Sequence, residues 1–120
     1  MKNYREIKTV EDALKATGRP SVPEFSELPE DLRTYFQAQY KAVVIAEALN
    51  GKWKANWADG NQKKWFPYFG NFSSLMFCDT GYSYSTLHAG NSSYLCFKSK
   101  ELAEIAGRKF MDIYKQFIFG

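Results

Sequence analysis

With 120 residues the chain has room for one core, since folding at this size buries roughly two thirds of the unfolded surface; residues 1–120 therefore read as a single domain. Hydrophobic (45%) and charged (24%) shares are ordinary, whereas 18% aromatic is about twice an average domain's content. A net charge of +3 is too small to imply a nucleic-acid or membrane partner unaided; no run approaches the roughly eighteen apolar residues of a membrane span, and the N-terminus lacks the apolar core of a secretory signal, so a cytoplasmic location and no membrane partner are expected.

The first predicted element is a short helix over residues 9–17, TVEDALKAT. Thr9 caps it, Asp12 completes a capping pair three residues on, and Gly18 with Arg19-Pro20 stops it. RPSVPEFSELPE follows, with three prolines and no period. Val22, Phe25 and Leu28 make it an ordered connector rather than a free linker. Residues 1–28 thus read as an N-terminal helix and Pro-rich connector, and 29–120 as the compact core.

Pro29 suits the first position of a long helix, and Glu30 and Asp31 complement the positive end of its dipole. The helix runs to Asn50-Gly51, with Leu32, Phe36, Tyr40, Val43 and Ala46 or Glu47 at helical spacing and Tyr35, Ala42, Ile45 and Leu49 widening the apolar face. Residues 52–98 then change character, holding twelve of the twenty-one aromatics with no helical period. The runs KKWFPYF, FSSLMFC, YSYSTL and SYLCFKS are separated by Gly70-Asn71, Asp79-Thr80-Gly81 and Ala89-Gly90-Asn91. They predict a four-stranded antiparallel meander, with Pro67 at an edge or a bend. Ser99 caps a last helix to residue 118, with Leu102, Ile105 or Ala106, Phe110, Ile113 and Phe117 as its buried stripe and Gly107 at a close approach to the sheet. The expected fold is α+β: an approximately four-stranded antiparallel meander packed against a long central helix and a C-terminal helix.

Three constellations bear on chemistry. Asp79-Thr80-Gly81 in FCDTGYS resembles the catalytic loop of an aspartic protease, but it occurs once and Tyr82 stands where that pattern wants a small residue. The required later apolar-apolar-Gly segment, Ile105-Ala106-Gly107, falls inside a helix, so the tripeptide is read as a hairpin turn. Cys78, His88 and Cys96, with Asp79, are of the right type for zinc but lack paired spacing, so no metal is expected and the cysteines read as buried thiols. No nucleophile elbow or phosphate loop is present; neither catalytic residues nor a cofactor are expected.

The candidate binding surface is GKWKANWADGNQKKWFPYF, in which Lys52, Lys54, Lys63 and Lys64 interleave with Trp53, Trp57 and Trp65. Aromatic faces stack on unpaired bases while lysines attract phosphates. The competing reading makes the tryptophans core anchors and the lysine stems their cover. The basic excess lies in this half of the chain, nine Lys/Arg against five Asp/Glu over residues 51–120 compared with seven against eight before it.

On Trp53 to Trp57, Trp65-Phe66-Pro67-Tyr68-Phe69 and LCFKSKELAEIAGRKFMDIYKQF at 95–117, the chain from about Glu30 onwards resembles a group of small uncharacterised proteins of Bacteroidetes genomes, often in prophage-like or mobile regions. The resemblance implies phage or mobile-element biology and supplies no activity or catalytic residue. The expectation is a non-catalytic accessory protein that binds a protein partner or itself, with single-stranded nucleic acid at segment 52–69 as the alternative and an enzyme third.

Overall fold

The computed structural model describes residues 4–71, 75–83 and 92–118, and the side chains of all of these except 70, 71, 75–78 and 117. Helices α1 (Val10–Thr17) and α2 (Glu30–Asn50) precede an antiparallel pair, β1 (Lys64–Asn71) and β2 (Leu75–Ser83). Helices α3 (Lys100–Lys109) and α4 (Met111–Ile118) follow, and short 3-10 turns lie at Tyr4–Glu6 and Ser93–Leu95. No described helix is long and apolar enough to cross a membrane.

The helix ends follow local chemistry. Thr9 accepts from the Asp12 amide while the Asp12 carboxylate accepts from the Thr9 amide, and Gly18 closes α1 in the left-handed region. Pro29 sits at the N-cap of α2, one position earlier than expected, and Gly51 takes φ 64° just past its end. Ser99 accepts from the Leu102 amide to start α3. The predicted final helix is broken in two at Phe110, which has φ −118° and ψ 29°. With this break α3 lies against the sheet and α4 against α2, so one apolar stripe serves two surfaces.

The connector is bound lengthwise to α2. Tyr40 donates to the Pro20 carbonyl, Gln37 to those of Pro23 and Glu24, and Arg33 to that of Leu28, while Arg19 forms a two-point pair with Glu47. These helix residues lie three, four or seven positions apart, one polar stripe whose donors meet carbonyls of a proline-rich segment that has few amides to offer in return. Phe25 is held at φ 53°, a conformation costing a bulky residue about 1–3 kcal/mol, with its ring 5.8 Å from that of Phe36.

The sheet corrects the expected meander. Among the described residues β1 pairs with β2 and, at a single bridge, with Phe97, and Asp79-Thr80-Gly81 lies inside β2, opposite Tyr68, Pro67 and Phe66, rather than at a turn. Gly70-Asn71 likewise ends β1 rather than turning it. Gly81 is needed for space: a Cβ there would collide with the Tyr68 ring, which crosses the strand at that point. A bulge between Tyr68 and Phe69 leaves Cys78 without an opposite residue. The expected strand SYLCFKS shrinks to one bridge, in which Trp65 and Phe97 exchange both backbone hydrogen bonds. Extending it would set Leu95 opposite Pro67, which has no amide to give on that side, and Ser99 opposite Lys63, where Ser99 already caps α3. Residues 84–91, including most of the expected strand YSYSTL, the Ala89-Gly90-Asn91 turn and His88, lie outside the described residues.

The core joins Ile7 and Ala13 to Val44, Ile45, Ala46 and Leu49 of α2, Phe97 of the bridge, and Leu102, Ala103, Ala106, Phe110 and Tyr114 of α3 and α4. Each large member contributes about 1.5–3 kcal/mol by burial. Leu32 and Phe36, expected on the buried stripe of α2, are exposed; the buried face starts at Ala38.

Buried Asn50 ties these layers together. Its Nδ2 donates to the Cys96 carbonyl at 2.8 Å and its Oδ1 accepts from the Lys98 amide at 3.0 Å. The side-chain amide thus takes the place of a neighbouring strand on the free edge of segment 96–98. Asn50→Ala is expected to lower unfolding free energy by roughly 2–4 kcal/mol, because both backbone groups lose their partner. Asn50→Asp offers the Cys96 carbonyl a second acceptor and is expected to lose at least as much at pH 7, with its gap to wild type narrowing as acid restores a proton to donate. Urea midpoints across pH test this; unchanged midpoints for both variants would refute the role.

Candidate functional site

The Trp/Lys segment, continuous in sequence, is divided among three places. The first is the end of α2. Gly51, whose amide bonds the Glu47 carbonyl, turns the chain back so that the Trp53 amide reaches the Asn50 carbonyl. Half-buried Trp53 becomes a wall shared by two adjoining concavities of about 300 and 520 Å³. Glu47 and Lys54 line both; Tyr94, Ser93 and Val43 complete one, and Lys52, Thr17 and Ala48 the other.

Charge in this groove is mostly settled by geometry. Glu47 is tied to Arg19 at 2.8 Å, and that hydrogen bond is the main reason its carboxyl is held below the usual range. Its negative charge is therefore answered within the fold, while Lys52 and Lys54 stand exposed at the rim. Tyr94, 67% exposed, faces the groove from the 3-10 turn at Ser93–Leu95.

The second place lies behind the groove. Lys64 is fully buried, with Nζ donating to the Asp59 carbonyl at 3.0 Å and lying 4.9 Å from the centre of the Trp57 ring. It is not available to a surface ligand in this fold. Trp57 in turn donates from its indole nitrogen to Ser93, so the buried ammonium ties the 52–63 loop to the groove wall. Gln62 braces this loop from inside, accepting from the Asn56 amide and donating to the Lys54 carbonyl.

The third place is the opposite face of β1. Strand alternation sends Lys63 and Trp65 away from Lys64. The Trp65 and Tyr82 rings stand 4.8 Å apart, and the Lys63 ammonium lies 4.8 Å from the Tyr82 centre and 5.8 Å from that of Trp65. Lys52, Trp53 and Lys54 are thus brought together, Trp57 and Lys64 form a structural pair, and Lys63 lies over Trp65, which is partly buried against the core. Sequence reasoning missed Tyr94, Glu47, Arg19 and the clamp role of Asn50. Only Asn50 had a local signal, and that signal reads as a helix stop.

Among the described residues no group of three His, Cys, Asp or Glu side chains is placed to hold a metal ion. Asp79 is exposed, its carboxylate accepting from the Thr80 amide. Cys96 is buried, as expected; Cys78 lies outside the described side chains. Comparison with family models, curated proteins and solved structures gives no match to this chain.

Burial pushes the Cys96 thiol from 9.0 up to about 11, the neighbouring Lys64 charge opposing only in part, and burial also raises the Tyr114 hydroxyl. Both raised groups favour the folded state while protonated; the stability tied to Cys96 is complete below about pH 9 and is lost as pH climbs through 11, and that tied to Tyr114 is lost only at higher pH. Stability measured from pH 8 to 11 is expected to fall over that window. In a Cys78→Ser background, Cys96 is expected to resist alkylation at pH 8 until denaturant is added; rapid native labelling would contradict its burial.

Proposed function

We propose that this chain is a non-catalytic binding module whose contact site is the Trp53 groove and whose partner is a protein segment with apolar and acidic side chains. The observation that carries this reading is the composition of the groove: a half-buried Trp shared by two concavities, an exposed Tyr facing it, two lysines at the rim and a carboxylate already paired. Aromatic anchors inside a polar rim are the usual anatomy of a protein contact. The accessory role in a phage or mobile element is part of the proposal and rests on the sequence motifs alone.

Single-stranded nucleic acid is the second reading, favoured by Lys52 and Lys54 flanking Trp53. Lysine number favours the protein reading. Of four lysines in the segment, Lys64 is buried and Lys63 lies over Tyr82 and Trp65, leaving two beside the groove. Two phosphate contacts give a shallow salt slope, of magnitude about 2 or less, and weak binding.

Tryptophan fluorescence titrated with a short synthetic Glu/Phe peptide, and separately with an unstructured oligonucleotide, at low and moderate salt tests the choice. The peptide is expected to saturate, and Trp53→Ala to weaken it by at least about tenfold while Trp65→Ala leaves it unchanged. No response to the peptide, or tight oligonucleotide binding with a steep salt slope, would overturn the protein reading.

A further inference from the structure

The far end of α2 has the inverse character of the groove. Between residues 24 and 31 the chain carries Glu24, Glu27, Glu30 and Asp31 and no basic residue, and all four are exposed. The nearest base, Arg33, is half-buried and turned onto the Leu28 carbonyl. Among these acids lies an apolar tip. Leu32 and Phe36 are 41% and 37% exposed, and the Phe36 ring packs on Phe25 and, at 5.0 Å edge to face, on Tyr35.

The core does not reach this tip, because the buried residues of α2 begin at Ala38. The tip is nonetheless held rigid. Gln37 bonds the carbonyls of Pro23 and Glu24, the Leu28 amide bonds the Phe25 carbonyl, and Phe25 is fixed in the left-handed region with its ring on Phe36. A bulky residue kept in that conformation, half-buried beside exposed Leu32 and Phe36 at a site the core does not use, marks a surface shaped for contact.

Tip and groove are complementary in charge and chemistry, yet they lie toward opposite ends of α2, with Leu32 and Glu47 about 22 Å apart along its axis. No molecule can seat its own tip in its own groove. We propose that the partner is a second copy of this chain: the Phe25, Leu32 and Phe36 tip of one molecule packs on Trp53 and Tyr94 of the next, with its carboxylates facing Lys52 and Lys54. This rests on reading the groove as a protein-binding site. Because Glu47 is paired with Arg19, no unanswered carboxylate in the groove repels the incoming acids. Two different patches meet, so the contact is head to tail and builds rings or open chains rather than a two-fold dimer. With three apolar side chains meeting two aromatics, the contact is expected to be weak and concentration-dependent.

Sedimentation velocity over about 10–500 µM, a range suited to weak affinity, at low and at high salt provides the test. Wild type is expected to grow in mean mass with concentration without stopping at a dimer, and to return to monomer in high salt. The tip reversal E24K/E27K/E30K and the groove reversal K52E/K54E should each stay monomeric alone, since each then faces like charge. Mixed one to one they should associate again, which also shows that both are folded. Wild type that stays monomeric at all concentrations overturns self-association; if it still binds the Glu/Phe peptide through Trp53, the groove reading survives. Wild type that associates, with the groove reversal associating equally well, puts the contact elsewhere and overturns the tip-to-groove contact, while the peptide titration decides the groove reading separately.

Discussion

One side-chain amide holds the layers of this protein in register. Segment 96–98 has two edges, and β1 satisfies only one, at the Trp65–Phe97 bridge; Asn50 satisfies the other by donating to Cys96 and accepting from Lys98. Because Asn50 is the last residue of α2 and segment 96–98 leads into α3, one pair of hydrogen bonds fixes where the long helix ends, where the sheet stops and where the C-terminal helices begin. The groove inherits the same origin, for Trp53 leaves the end of α2 and Tyr94 precedes the clamped segment.

Features governed by neighbouring atoms were legible in the sequence. Thr9 with Asp12, Gly18, Gly51 and Ser99 all act where the cap pattern puts them, because a cap needs only a side chain and an amide two or three residues away. Features governed by distant partners were not. Asp-Thr-Gly is good turn chemistry, yet Gly81 serves as the gap that admits the Tyr68 ring, a requirement set thirteen positions away. The break at Phe110 has no proline and no glycine at the break itself; it separates a helix packed mainly on the sheet from one packed mainly on α2.

The same division explains the site. The interleaving of Trp and Lys over residues 52–65 is real in sequence, but the 52–63 segment is a loop and Lys64 begins a strand, so neighbours in the list part company in space. The period of two along β1 was enough to separate Lys63 and Trp65 from Lys64. Burial of Lys64 depended on the Asp59 carbonyl and the Trp57 ring arriving beneath it, which no local pattern encodes. The aromatic surplus divides accordingly: Phe97, Phe110 and Tyr114 fill the core, Trp57 shields an ammonium, and Trp53 and Tyr94 shape a groove.

Pro67 has a bearing on solubility as well as on topology. Residues 65–78, WFPYFGNFSSLMFC, contain no charged side chain, and a stretch this apolar and aromatic is the kind from which chains stack into fibrils. A foreign strand docking beside β1 on the side of the Phe97 bridge would need the amide of residue 67, and proline withholds it. The residue that limits the sheet to a single bridge therefore also acts as a gatekeeper, closing the most aggregation-prone strand to templated growth along that edge.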